Sequence, residues 1–325
     1  MKKVAIYGKI HSDGINILKK NKYNIIEISD KKIKKSELIE KLKDVEAIAI
    51  RTAKLSQDIL QQCTSLKIVS RHGVGYDNID LNFLSKNNIA LAISSYSNSV
   101  SVSEHVITMF LYLCKNIAKS DNLVKNQNFL KRNLLPDFFE IFQKNILILG
   151  FGRIGKELSK RCLGFETKIY VYDPYVNQSL IKKFNCFPVD LESGLKLADF
   201  ISIHMPLNKK TKNLINKKKL SIMKKNCILV NTSRGGIVDE KALYWALTNN
   251  RISSAGLDVF EKEPPDNNNP LLKLDNIVLT PHNAALTLEC RKRMAIETCN
   301  NIIDYLENKS SLKLENIVNR ENLKS

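Results

Sequence analysis

The chain has 325 residues, 43% of them hydrophobic and 26% charged, with 12 glycines. At about 150 residues per domain this predicts two cores, and the composition excludes disordered, collagen-like and low-complexity classes. The 51 Lys and Arg against 33 Asp and Glu give a net charge of +18, but the lysines fall in short runs (Lys31-Lys32, Lys34-Lys35, Lys209-Lys210, Lys217 to Lys219, Lys224-Lys225) spread over the whole length. That is the pattern of a solvated surface, so neither a nucleic-acid nor a membrane partner is expected.

No run approaches the roughly 18 apolar residues of a membrane helix, and the first apolar run ends too early for a signal peptide. The seven cysteines (Cys63, Cys114, Cys162, Cys186, Cys227, Cys290, Cys299) are odd in number and include no Cys-x-x-Cys pair. They predict free thiols in a reducing, cytoplasmic compartment, and no metal site is expected.

Short apolar runs at Val4 to Tyr7, Ile25 to Ile28, Ala47 to Ile50, Lys67 to Ser70 and Ile89 to Ile93 alternate with helical or polar stretches, which predicts a parallel α/β sheet. From Ser99 to about Lys125 the apolar positions Val102, Val106, Met109, Phe110, Leu113 and Ile117 keep helical spacing with no Gly or Pro, predicting one long linking helix. A second series follows, with strands at Ile146 to Leu149, Ile169 to Tyr172, Phe200 to His204, Ile228 to Val230, Ala255 to Val259 and Ile277 to Thr280. The last amphipathic stretch, Thr287 to Leu306, comes after that series and is long enough to return to the first domain. The first domain is therefore expected to be discontinuous, residues 1–98 plus 286–325, around a second of 99–285.

Gly150-Phe151-Gly152-Arg153-Ile154-Gly155 follows the apolar run ending at Leu149 and opens a stretch that can be helical, Arg153 to Cys162. Strand, glycine turn and helix in that order supply a tight turn and unpaired N–H groups at a helix start, where a pyrophosphate can sit. Asp173 lies 23 residues beyond Gly150, just after the next strand. A carboxylate there accepts from both adenosine ribose hydroxyls and repels a 2′-phosphate, which favours NAD over NADP as cofactor.

Three polar islands close later predicted strands: Asn231-Thr232-Ser233-Arg234-Gly235-Gly236-Ile237-Val238-Asp239-Glu240, Gly256-Leu257-Asp258-Val259-Phe260-Glu261-Lys262-Glu263-Pro264-Pro265, and Thr280-Pro281-His282. Strand ends are where α/β sheets place ligands. With Ser70 to Asp80, Asn98 to Glu104 and His204-Met205-Pro206-Leu207, these segments make the chain resemble the D-isomer-specific 2-hydroxyacid dehydrogenase family, within it the D-3-phosphoglycerate dehydrogenase branch.

The resemblance implies two Rossmann-like/flavodoxin-like doubly wound parallel-sheet domains with an active-site cleft between them. Residues 1–98 plus 286–325 would bind substrate and 99–285 would bind NAD. It further implies Arg234, Glu263 and His282 as the catalytic set. Cofactor contacts fall at Gly150, Gly152, Arg153, Ile154, Gly155, Asp173, Met205, Thr232, Ser233 and Asp258, the last beside the nicotinamide carboxamide. Substrate contacts fall at Arg51, Arg71, the backbone of Val74 and Gly75, and Arg234. A homodimer through the nucleotide domain is also implied.

The chemistry asks for these residue types independently. Reduction of a 2-oxo acid needs an acid titrating near neutrality at the carbonyl oxygen, which suits His282. A buried carboxylate beside the imidazole, Glu263, would fix its tautomer. Arg234 offers a planar fork for a carboxylate. His204 reads as structural, and His72 and His105 are left unassigned.

Two segments depart from the family pattern. Asn283-Ala284-Ala285-Leu286-Thr287 stands where the phosphoglycerate branch has a glycine-rich run and Ser-Thr, and Ile93-Ser94-Ser95-Tyr96-Ser97 replaces its Asn-x-Pro. Both leave the substrate open among 3-phosphoglycerate, hydroxypyruvate, glyoxylate, sulfolactate and other 2-hydroxyacids. An NAD-sensing corepressor-like module without turnover is the reading from another class. With about 20 residues after Tyr305, an appended regulatory domain is not expected.

Overall fold

Strands whose residues are apolar at nearly every position need cover on both faces, and parallel sheets flanked by helices provide it. The computed structural model, which describes residues 1–30 and 33–323, contains two such sheets among the described residues. The run Lys31-Lys32 lies outside them. By contacts the chain divides into two units, Met1–Asn98 with Leu286–Ser325, and Ser99–Ala285.

In the first unit β1 (Lys3–Tyr7), β2 (Asn24–Ile28), β3 (Ala47–Ile50), β4 (Ile68–Arg71) and β5 (Ala90–Ile93) form a parallel sheet in the order β2-β1-β3-β4-β5. Side chains alternate between faces with period two. Ala5, Tyr7, Ile48, Ile50, Val69 and Leu91 enter one core; Val4, Ile6, Ala47, Ala49, Ile68 and Ala92 enter the other. The second core is completed by Ala295, Cys299, Ile302 and Ile303 of the helix Leu288–Leu306, whose N-cap Thr287 accepts from Cys290 N. This helix runs close to Ser12–Lys20: a Cβ on Gly14 would lie 2.6 Å from Ala295 O.

In the second unit β6 (Asn145–Leu149), β7 (Lys168–Tyr172), β8 (Phe187–Pro188), β9 (Phe200–Ile203), β10 (Ile228–Asn231), β11 (Ser254–Leu257) and β12 (Ile277–Leu279) run parallel in the order β12-β11-β10-β9-β6-β7-β8. The order reverses between β6 and β9, which makes the crevice at their C-terminal ends the topological switch point where open α/β sheets hold ligands. Val106, Met109 and Phe110 of the helix Ser99–Cys114 pack on one face with Ile146, Ile148 and Phe200.

The single helix expected from Ser99 to about Lys125 is two helices, Ser99–Cys114 and Ile117–Lys125. Asn116 between them is left-handed, with φ +50, a conformation that Asn tolerates better than most residues and that ends a right-handed helix. All seven cysteines are free and buried, and no described helix is long and apolar enough to cross a membrane.

Candidate active site

The C-terminal ends of β6, β9, β10, β11 and β12 share one edge of the second unit's sheet, and the sequence motifs lie along it. After β6, Gly150 has φ +95, and a Cβ there would meet His204 O at 2.7 Å. Both facts require glycine at that turn. A Cβ on Gly155 would come within 2.4 Å of Gly150 O, whereas one on Gly152 would meet nothing within 4 Å. The helix Arg153–Leu163 thus starts with close packing behind and open space in front, a cradle that fits the pyrophosphate of a dinucleotide.

Met205 is buried against the same turn, and Arg153 and Ile154 are half-buried in the first turn of the helix. Asp173 is committed locally as well. Its Oδ2 accepts from Phe151 N at 2.7 Å and its Oδ1 from Tyr175 N at 2.9 Å, so it joins β7 to the glycine turn, with a second lone pair on each oxygen for a ribose hydroxyl.

Arg234 follows β10 in a turn built by Asn231, whose Oδ1 accepts from Ser233 N and Oγ and whose Nδ2 donates to Arg234 O. Arg234 Nη1 donates to Ser233 O at 2.7 Å. The next residue has no room for a side chain, since a Cβ on Gly235 would lie 1.7 Å from Phe260 O. The Arg234 turn therefore sits directly on the loop that carries Glu263.

A reciprocal pair reinforces that contact. Glu261 Oε1 accepts from Glu240 N at 3.0 Å, Glu240 Oε1 accepts from Glu261 N at 2.6 Å, and Glu240 Oε2 takes Asn269 Nδ2 at 2.8 Å. The peptide after Glu263 is cis.

Glu263 Oε2 and His282 Nδ1 are 2.8 Å apart, and Glu263 Oε1 accepts from Phe260 N. The expectation of a buried carboxylate needs correction, because the side chains of Glu263 and His282 are 37% and 51% exposed. Both stand on loops beyond the strand ends, outside the cores. His282 has φ +50, and its loop is held from below by Asp258. That carboxylate, 1% exposed, accepts from Thr280 Oγ1 at 2.6 Å, Asn283 N at 2.9 Å and Ala284 N at 3.0 Å.

Asp258 is therefore buried against the His282 loop and holds it. Thr232 Oγ1 and Asn283 Oδ1 are buried without a hydrogen-bond partner among the described residues, which fits a polar ligand at this edge. His204 pairs Nε2 with Ser202 Oγ at 2.8 Å, and burial pushes its pKa down to about 3. It is a structural histidine.

In the first unit Arg51 follows β3 and Arg71 ends β4. Arg71 folds over the turn, its Nη1 donating to His72 O, and Val74 and Gly75 are half-buried just beyond. His72 is held neutral, its pKa pushed down to about 4 by burial first and then by the Arg71 and Arg51 guanidiniums. The two cations therefore share one neighbourhood.

Sequence reasoning missed Glu240, Glu261 and Thr280 as supports of the site. The first two had a signal, acids flanking a predicted helix start and a strand end, but their mutual contact depends on tertiary structure.

Residues 107–284 match the family model described as D-isomer specific 2-hydroxyacid dehydrogenase, NAD binding domain. The chain is similar to D-3-phosphoglycerate dehydrogenase of Methanocaldococcus jannaschii, 35% identical over 99% of this chain and 60% of that protein. It is 36% identical to hydroxypyruvate reductase of Thermotoga maritima over 86% of this chain and 91% of the relative.

Among solved structures, D-lactate dehydrogenase from Aquifex aeolicus complexed with NAD and lactic acid superposes with a TM-score of 0.83 at 29% identity, covering 97% of this chain and 98% of that one. The chain thus spans about 60% of the M. jannaschii relative's length and nearly all of the others'. It belongs to the D-isomer-specific 2-hydroxyacid dehydrogenase family, with an NAD-binding domain at residues 107–284.

Proposed function

We propose that the protein is an NAD-dependent oxidoreductase interconverting a D-2-hydroxyacid and its 2-oxo acid, with the first unit binding substrate and the second binding NAD. The observation that carries this reading is the His282–Glu263 pair, 2.8 Å apart, on the sheet edge that also carries the glycine turn. NAD, when bound, supplies or takes up the hydride at C2.

In the reducing direction His282 gives a proton to the carbonyl oxygen as C2 is reduced, so the products are the hydroxyl and a neutral imidazole. Glu263 accepts from Nδ1, which fixes the ring's orientation and leaves Nε2 to carry the mobile proton. Arg234 binds the substrate carboxylate and polarises the carbonyl, its position set by the Asn231 turn below it. Gly150, Gly152, Arg153, Ile154 and Gly155 would hold the pyrophosphate and Asp173 the adenosine ribose. Met205, Thr232, Ser233 and Asp258 would line the remaining length.

Arg51 and Arg71, with the backbone of Val74 and Gly75, favour an acid with a second anionic group, such as 3-phosphoglycerate or a sulfonated analogue, over hydroxypyruvate or glyoxylate. What supports that choice is that the two arginines stand at the same ends of neighbouring parallel strands, β3 and β4. The homodimer takes its support from residues 117–142, where Ile117, Val124, Phe129, Leu130, Leu134 and Phe142 are 46% to 92% exposed, an apolar surface that a monomer would leave wet.

The test is NADH oxidation by purified protein with 3-phosphohydroxypyruvate, 3-sulfopyruvate, hydroxypyruvate and glyoxylate in turn. Turnover on the first two above the others is the expected result. Tight NADH binding with no turnover on any 2-oxo acid would replace the enzyme by a sensing module.

A further inference from the structure

His105, on the helix Ser99–Cys114, takes no part in the chemistry proposed above, yet it reaches the loop that carries His282. Its Nε2 is 3.1 Å from Thr280 Oγ1, and that oxygen is 2.6 Å from Asp258 Oδ1. The direction of this chain follows from donor and acceptor counts. An ionised carboxylate only accepts, and a hydroxyl has one proton. The Thr280 proton therefore goes to Asp258, Thr280 Oγ1 can only accept from the imidazole, and His105 must carry its proton on Nε2.

The order is His105 Nε2–H to Thr280 O–H to Asp258. Nε2 is 3.8 Å from Asp258 Oδ1, too far for a direct hydrogen bond, so the hydroxyl is the link.

The remaining bonds of Asp258 explain what the chain is for. Its two oxygens accept from Asn283 N and Ala284 N, the two amides that follow His282, while Thr280, two residues before it, supplies the hydroxyl. His282 N donates to Thr280 O at 3.0 Å, and His282 holds φ +50, a left-handed conformation disfavoured for a residue with a Cβ. A side chain that must point one way from a disfavoured backbone needs its flanks fixed, and Asp258 fixes both.

Hydrogen bonds in series polarise one another, so a donor at the head of the chain tightens the bonds at its end. His105, with its side chain 21% exposed, is neither core filler nor a fully solvated group.

We propose that His105 is a positioning residue for His282, acting through Thr280 and Asp258, an inference that rests on the reading of His282 as the proton carrier. It touches neither substrate nor proton. Its effect is on how often the imidazole stands where it can act.

The experiment compares His105→Leu, His105→Gln, Thr280→Val and the His105→Leu/Thr280→Val double variant by turnover, NADH affinity and amide exchange at Asn283 and Ala284. Loss of the chain should lower kcat about 10- to 100-fold, the scale of a small misplacement of a reacting group, with NADH affinity within about threefold of the parent. Exchange at the two amides should quicken. Gln places an N–H near the position of Nε2 and should recover most of the turnover, whereas Leu keeps the volume and should not. The double variant should be no worse than the poorer single one, because all three break one chain.

Parental turnover in His105→Leu, equal losses for Gln and Leu, or additive losses would each overturn the proposal. If His105→Leu does not fold, a loss in Thr280→Val against retained turnover in His105→Gln decides in its favour, and no loss in Thr280→Val decides against it. His282→Asn, assayed alongside, separates the two readings. Full turnover in that variant removes the proton-carrier reading itself, while loss there with parental His105→Leu removes only the role of His105.

Discussion

His282 Nδ1 lies 2.8 Å from Glu263 Oε2, although the two residues are 19 positions apart and follow different strands. The pair is half-open to solvent, where an ion pair adds little stability, so its value lies in orienting the ring. His282→Asn should cut kcat by about 10²- to 10⁴-fold while leaving NADH affinity nearly intact. Glu263→Gln keeps an acceptor oxygen without the charge, and its loss should be smaller than that of Glu263→Ala. Steady-state assays beside fluorescence titration of NADH check both. Parental turnover in His282→Asn would remove it from the mechanism.

Asp173 joins β7 to the glycine turn through Phe151 N besides standing where a ribose is expected. Asp173→Ala should therefore do two things: weaken NADH binding, and narrow the preference for NADH over NADPH as the negative charge goes. Asp173→Asn retains one acceptor oxygen and should relax the preference with a smaller loss of NADH affinity. Dissociation constants for both cofactors with each variant test this. An unchanged NADH to NADPH ratio in both would leave Asp173 a turn residue alone.

Two buried histidines predict acid lability. His72 and His204 have pKa values pushed down to about 4 and about 3, in both cases first by burial, against about 6.5 in the unfolded chain. Between those limits the unfolded state binds more protons than the folded one, so unfolding free energy rises with pH. Their stability is fully present above pH 6.5 and is lost as the pH falls through 6.5 towards the folded values. For His72 the loss amounts to roughly 3 kcal/mol. Thermal melts from pH 8 to pH 4 should show Tm falling below about pH 6.5, and His204→Gln should flatten the fall for the unit that holds it. A Tm constant down to pH 4.5 would contradict this account.

The sheets were legible because buried parallel strands leave short, mostly apolar runs, and eleven of the twelve described strands fall on such runs, with boundaries that differ by no more than two residues. β8 escaped because two residues, Phe187 and Pro188, carry no period. The break at Asn116 escaped for the opposite reason: helical spacing continues through it to Ile117, and the residue that turns the chain is neither Gly nor Pro.

In the site, Arg234, Glu263 and His282 could be named because the segments that follow three strand runs resemble the family's, and each residue is of the type the chemistry needs. What holds them was not legible. His105 and Thr280 are 175 positions apart, and Glu240 meets Glu261 only once β10 and β11 lie side by side. The exposure of Glu263 was misjudged because a loop's burial is set by packing, not by its sequence.

Residues 117–142 carry the prediction about assembly. No residue of the helix Ile117–Lys125 is buried, and Leu130 and Leu134 are 92% and 79% exposed in the turn beyond it. If a second copy covers this segment, Leu130→Glu with Leu134→Glu should convert the dimer to monomer by light scattering, since each would bury an unpaired charge at the contact. A dimer persisting in the double variant would move the interface elsewhere.

Substitution of Arg51 tests which of the candidate substrates the protein takes. The Arg51 and Arg71 guanidiniums both act on His72 at the ends of β3 and β4, and a charge-assisted hydrogen bond to an anionic group contributes about 1.5–3 kcal/mol, which is roughly 10- to 100-fold in kcat/KM. Arg51→Gln should therefore lower kcat/KM for 3-phosphohydroxypyruvate or 3-sulfopyruvate by that factor and leave glyoxylate, which has no second anion, nearly unchanged. The selectivity would collapse while the chemical step survives. An equal fall on all four acids would mean that Arg51 supports the fold of its turn, and that the second anion is bound elsewhere or is not part of the substrate.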